Sequence, residues 1–287
     1  MVTAQLVKEL REKTGAGMLD CKKALEATDG NIENAITWLR EKGIARAAKK
    51  ADRIAAEGLC NVVVKDNVAV IYEVNSETDF VSKKTQFLNL LNVVGEALLE
   101  NETTDYLNIN YNGKTIHEIL TEATATIGEK ISLRRVTRVV KKDSENFGAY
   151  KHAGGRIAVL SVLEGADEDV AKDICMHVAA INPRYLSIEN ISSEEVEKER
   201  AILTAEALNE GKPANIVEKM VVGRLNKYLK EICLLNQPFV KDQDQTVEKY
   251  VESQKGKIVS FLRLEVGEGI EKVVTDFAAE VMAQVKA

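Results

Sequence analysis

Apolar positions recur at helical spacing from the first residues of the chain. Leu6, Val7 and Leu10 share one face behind Thr3, a residue type that accepts a backbone N–H at a helix start. "TGAG" (14–17) interrupts the pattern with two glycines that permit a tight reversal. A second helix is predicted over 19–27, ending at "TDGN", where Asn31 caps a third whose buried stripe is Ile32, Ala35, Ile36 and Leu39. Residues 1–53 thus read as a three-helix module, too short to bury much core and suited to docking. It closes on "GIARAAKKADR" (43–53), where Arg46, Lys49, Lys50 and Arg53 recur at helical spacing as a solvated helix end or linker.

Beyond residue 53 the pattern mixes strand and helix, and it repeats. Laid without gaps, "VAVIYEVNSETDFVSKKTQF" (68–87) matches "IAVLSVLEGADEDVAKDICM" (157–176), pairing Ala69 with Ala158, Val70 with Val159, Val81 with Val170 and Lys83 with Lys172. Downstream, "SLRRVTRV" (132–139) resembles "SFLRLEVG" (260–267). The pattern predicts an α+β chain with two related halves, each an antiparallel sheet backed by helix. The second half carries an insertion. Val196, Leu203 and Leu208 mark one helical stripe; Ile216, Met220, Leu225, Leu229 and Ile232 mark another, split by "NEGKPAN". These form an antiparallel hairpin whose stripes cover each other or a partner. The predicted boundaries are 1–53, 54–140, 141–192, 193–234 (the hairpin), 235–266 and 267–287 (a C-terminal helical module).

The repeat raises a question about "EVNSETDFVSKK" (73–84). Phe80 aligns with Asp169, so its position tolerates a carboxylate and points outward, whereas Val81 faces the core. Yet Phe80 also falls on one helical stripe with Phe87, Leu91, Val94 and Leu98, as a core residue would. Both readings stand on pattern alone; an exposed Phe80 implies a binding contact. Thr78 or Asp79 is placed to cap the helix that follows.

Composition narrows the function classes. A net charge of -6 argues against broad phosphate binding, and 5% aromatics against a stacking platform for single strands. The start lacks the pattern of a signal peptide, and no run approaches a membrane span. Cys21, Cys60, Cys175 and Cys233 are scattered, as reduced thiols in the cytoplasm would be. His117, His152 and His177 have no ligand-spaced partners, and no phosphate loop is present. "LEVGEGIEK" (264–272) imitates a dinucleotide fingerprint but has Lys272 where the third glycine belongs, and Glu268 would repel a pyrophosphate. No enzyme is visible in the sequence.

"LREKTGAGMLDCKKAL" (10–25) and "EVNSETDFVSK" (73–83) resemble the two signature segments of the bacterial elongation factor Ts family, nucleotide-exchange factors of the GTPase elongation factor Tu. "HVAAINP" (177–183), "NQPFV" (236–240) and "FLRLEVGEGIEKVVTDFAAEV" (261–281) extend the resemblance over essentially the whole chain. It implies an N-terminal ubiquitin-associated-like (UBA-like) domain, a two-part core, a projecting helical hairpin and a C-terminal helical module. It makes Asp79 and Phe80 a probe pushed toward the partner's Mg²⁺ site, with Thr78 and Val81 in the same segment. It places further partner contacts at Arg11, Met18 and Leu19, at Ile127 and Gly128, and at His152, Phe239 and Val240. The implied partner is elongation factor Tu, GDP-bound and nucleotide-free, with no direct nucleic acid, membrane, metal or cofactor; the hairpin leaves a homodimer open within a Tu–Ts assembly. A second "TDF", Thr275 to Phe277, reads as a packing helix with Val274, Val281 and Val285. Two other readings compete: a scaffold binding ubiquitin-like partners through the three-helix module, and a nucleotide-dependent enzyme using "GEGIEK".

Overall fold

The computed structural model describes residues 2–211 and 213–271. The second "TDF" and the predicted module beyond residue 271 lie outside the described residues. In chain order the elements are α1 (Ala4–Thr14), α2 (Met18–Ala27), α3 (Ile32–Ala48), β1 (Glu57–Lys65), β2 (Val68–Ser76), α4 (Asp79–Ser82), α5 (Thr85–Glu100), β3 (Asn110–Tyr111), β4 (Lys114–Thr115), α6 (Ile116–Ile127) and β5 (Ser132–Val140). They continue with β6 (Glu145–His152), β7 (Ile157–Glu164), α7 (Glu168–Ile181), α8 (Ser193–Asn209), α9 (Ala214–Ile232), β8 (Pro238–Phe239), β9 (Asp242–Thr246), α10 (Val247–Ser253) and β10 (Lys257–Glu265). The class is α+β.

The first three helices form as their caps direct. Thr3 accepts Leu6 N–H, Gly15 closes α1 at φ 66°, and Asn31 accepts Asn34 N–H. Leu10, Cys21, Ala24, Leu25 and Ala35 make a small core, the arrangement of a UBA-like domain. α3 runs to Ala48, so Arg46 is on the helix proper, and the chain turns away only from Lys49.

Two three-stranded sheets follow, in the orders β1-β2-β5 and β10-β7-β6. Read from the first hairpin of each, the order is the same: a hairpin, with the third strand against the hairpin's second. The internal repeat is therefore a repeat of topology. Its matched positions share burial: Ala69 and Ala158, Val70 and Val159, and Val81 and Val170 are buried, and Lys83 and Lys172 are exposed. The helices after the matched strands differ. α7 is continuous, with Asp167 accepting Val170 N–H at its start. In the first half the chain breaks at Lys83–Lys84, where Lys84 is extended at φ -77°, ψ 140°, so α4 and α5 are separate helices. The single stripe expected through Phe80, Phe87 and Leu91 does not exist.

By compactness the chain divides into two units. One holds residues up to Cys60, Tyr72–Val136 and the segment from Glu265; the other holds Asn61–Ile71 and Thr137–Leu264. In the first unit Glu73 is fully buried. Its carboxylate accepts Arg135 Nε at 2.7 Å, Arg134 Nη1 at 3.2 Å, Asn75 Nδ2 at 2.8 Å and Gly267 N–H at 2.7 Å. A buried carboxylate is tolerated when paired and hydrogen-bonded on this scale. Burial, and then the Glu73 charge, push the nearby Cys60 thiol up to about 12. All four cysteines are buried and free.

In the second unit α7 lies so close to β6 that a Cβ on Gly148 would sit 2.2 Å from the carbonyl oxygen of Ala171. Buried His177 accepts Val240 N–H at Nδ1 (3.2 Å), so Nε2 carries the proton that goes to Gln237 Oε1 at 2.8 Å. Burial lowers the His177 pKa, against the opposing Gln237 bond. The predicted hairpin is α8 and α9. Val196, Leu203, Leu225 and Leu229 pack together as expected, but Ala207, Val217 and Val221 fill the other contact, and Leu208 and Ile216 are exposed.

Candidate functional site

The probe segment begins where β2 leaves its sheet. Ser76 and the residues before it are buried, and the chain surfaces at Glu77. Thr78 occupies the N-cap position of α4 but makes no side-chain cap bond. Its hydroxyl instead donates to Glu129 Oε1 at 2.7 Å, and its N–H to Glu129 Oε2 at 2.9 Å. The expectation that Thr78 or Asp79 caps the helix by accepting is thus corrected: Thr78 donates, to a carboxylate 51 residues away.

The two residues at the centre of the segment face opposite ways. Val81 is 2% exposed and anchors the turn; Phe80 is 74% exposed. The alternative that Phe80 belongs to the core is overturned by this exposure and by the break after Lys83. Beside it, Asp79 Oδ2 accepts Lys83 Nζ at 2.7 Å, and the same ammonium stands 5.8 Å from the Phe80 ring centroid. An apolar ring is therefore held out in solvent beside a locally neutralised carboxylate, on a turn secured from beneath.

The other predicted residues fall into two groups. Arg11, Met18 and Leu19 belong to the same unit as the probe; Arg11 is exposed, and Met18 and Leu19 are 62% and 73% exposed at the start of α2. Ile127 ends α6 half-buried and Gly128 follows in a left-handed conformation at φ 91°, immediately before Glu129. His152, Phe239 and Val240 belong to the other unit. His152 is exposed and Val240 half-buried, but Phe239 is 2% exposed, its ring stacked on His177 and 4.1 Å from Tyr250. Phe239 is a core residue, and the expectation of a surface contact there is corrected. Sequence reasoning missed Glu129 and Glu77, whose roles depend on contacts more than fifty residues apart in the chain.

A groove of about 730 Å³ in the first unit is lined by six cationic side chains, Lys13, Arg40, Lys42, Arg46, Lys50 and Lys114. Each is engaged. Arg46 makes a two-point pair with Asp20 that holds this carboxyl below its ordinary value. Arg40 meets Glu118, Lys114 meets Glu122, Lys13 meets Glu9, Lys50 donates to the Gly128 carbonyl, and Lys42 lies over Trp38. The "GEG" turn is occupied too: Gly267 N–H, a group that would cradle a phosphate, is donated to Glu73. Among the described residues no cluster of three or more His, Cys, Asp or Glu has metal-binding geometry. No described helix is long and apolar enough to cross a membrane.

The fold and site define an α+β protein with a duplicated three-stranded unit, one copy of which presents an aromatic side chain to solvent on an anchored turn. The family profile described as "Elongation factor TS" matches residues 77–268. The chain is also 57% identical over 292 aligned positions, covering 99% of both chains, to the "Elongation factor Ts" of Acholeplasma laidlawii (strain PG-8A). The chain belongs to the elongation factor Ts family.

Proposed function

We propose that this protein is the nucleotide-exchange factor of elongation factor Tu, acting in translation elongation in the cytoplasm and releasing GDP from its partner so that GTP can bind. The observation that carries the reading is Phe80: 74% exposed, beside a valine that is 2% exposed, on the segment by which the family is recognised. A ring held in water contributes little to its own fold and much to an interface that buries it.

The mechanism follows from linkage. Phe80 and Asp79 enter the GTPase domain near its bound Mg²⁺ and disturb the groups that hold the metal. Mg²⁺ neutralises phosphate charge, so its loss weakens GDP binding. A factor that prefers the metal-free or nucleotide-free partner weakens nucleotide binding by the same factor that nucleotide weakens its own, and GTP then displaces it. Such a cycle requires no acid, base or cofactor from this chain. Arg11, Met18 and Leu19, with Ile127 and Gly128, supply the surrounding contact, and His152 and Val240 a second one. Exposed Ile202, Leu208, Ile216 and Val222 on the hairpin are the apolar positions a second copy would cover. Sedimentation of the chain together with elongation factor Tu tests that point, and assemblies holding a single copy of this chain at all concentrations would discard it.

The decisive experiment follows the release of fluorescent GDP from elongation factor Tu. Wild-type protein is expected to accelerate release strongly, and Phe80→Ala to lose most of the acceleration while staying folded. A folded Phe80→Ala protein as fast as wild type would refute the probe.

A further inference from the structure

Two carboxylates are exchanged between the probe turn and the connection from α6 to β5. Glu77, just before the turn, accepts Lys130 N–H at 2.7 Å through Oε1 and faces Arg53 at 3.2 Å through Oε2. Glu129 reaches the other way and takes both the N–H and the hydroxyl of Thr78, at 2.9 and 2.7 Å. The residues after α3 join the same cluster: Lys130 Nζ donates to the Arg53 carbonyl at 2.8 Å, and Lys50 donates to the Gly128 carbonyl.

We infer that Glu129 is a positioning residue for Phe80, a role that rests on the exchange reading above. α4 is four residues long and has no side-chain cap. A single helical turn does not hold itself, because fixing its dihedrals gains too few hydrogen bonds. Its orientation is set by Val81 and Ser82 in the interior, by Ser76 Oγ donating to the Thr78 carbonyl at 2.9 Å, and by the two-point grip of Glu129 on Thr78, which ties the turn to the connection after α6. A side chain that acts by insertion works best when its direction is fixed before contact, since ordering it on docking costs binding energy. Ile127 and Gly128, which lead into Glu129, are held independently, by α6 and by the bond from Gly128 N–H to the Thr124 carbonyl. Arg53 is a weaker contributor, because its pair with Glu77 is half-exposed and screened.

The test measures GDP release from elongation factor Tu across a range of factor concentrations, for wild type, Glu129→Ala, Glu129→Gln, Phe80→Ala and the Phe80→Ala/Glu129→Ala double variant. Loss of a charged hydrogen-bond acceptor predicts a saturating rate roughly tenfold lower for Glu129→Ala, with the half-saturating concentration little changed. Glu129→Gln, which keeps one acceptor oxygen, falls between. Because Glu129 acts through the ring, the double variant should be no slower than Phe80→Ala alone. Hydrogen exchange in the free protein should show amides 78–83 less protected in Glu129→Ala. A folded Glu129→Ala protein that saturates at the wild-type rate, or a double variant whose defects multiply, overturns the inference and leaves the exchange reading intact. If wild type itself fails to accelerate release, the exchange reading falls, and the amide protection still reports whether Glu129 holds the turn. Should Glu129→Ala not fold, Glu129→Gln and Thr78→Val carry the same comparison.

Discussion

Phe80 and Val81 are adjacent in sequence, and the structure assigns their truncations opposite consequences. In Phe80→Ala about a quarter of the ring surface is covered to begin with. For a residue that buries roughly 200 Å² when enclosed, that is ~50 Å². At about 25 cal/mol per Å² the variant loses ~1 kcal/mol of stability. Val81→Ala removes two methyl groups from a site that is 2% exposed. The transfer loss is about 1.6 kcal/mol, and the cavity brings the total to roughly 2–3 kcal/mol. The smaller residue is therefore the one whose loss matters more to folding, while the larger one matters more to the partner. Urea unfolding, followed by far-ultraviolet circular dichroism, gives both values. A Phe80→Ala protein destabilised more than Val81→Ala would show that the ring packs in solution, and the account of the probe would be wrong.

Glu73→Ala leaves Arg135, the Gly267 N–H and Asn75 without their shared acceptor, and the loss is expected at about 3–5 kcal/mol; a change under ~1 kcal/mol by urea unfolding would refute the network. His177 is held neutral by burial, so its folded pKa lies below its unfolded value of about 6.5. The unfolded chain then binds more protons as pH falls below 6.5, and this share of stability, complete above it, is lost as pH drops through the folded value. The urea midpoint should thus fall less steeply between about pH 7 and 5 in His177→Gln than in wild type, and equal slopes would remove His177 as the cause.

The helices with ordinary punctuation were readable from the sequence because their signals are local. Thr3, Gly15 and Asn31 cap the first module as their residue types dictate. The repeat disclosed two related halves, though not their strand order, and it assigned Val81 inward and Phe80 outward. What escaped was the break after Lys83, where no glycine or proline interrupts the apolar pattern. An amphipathic stripe therefore ran on paper through a chain that departs from it in space. Glu129 and Glu77 escaped for a related reason: nothing in the residues around either one says which backbone N–H it will meet. The resemblance alone puts Phe239 at the surface, and no local signal shows that Tyr250 and His177 close on its ring.

The duplicated sheet has a further consequence. Because β7 and α7 reach the same topology as β2 and its helices with an uninterrupted helix, an aspartate cap and a carboxylate at the position of Phe80, none of the first copy's departures is a requirement of the architecture. The interrupted helix, the donated threonine and the solvent-facing ring can be read as additions by subtracting one half of the molecule from the other. The chain carries its own reference state, and replacing residues 77–84 by their counterparts at 166–173 would erase the additions while testing whether the scaffold still folds.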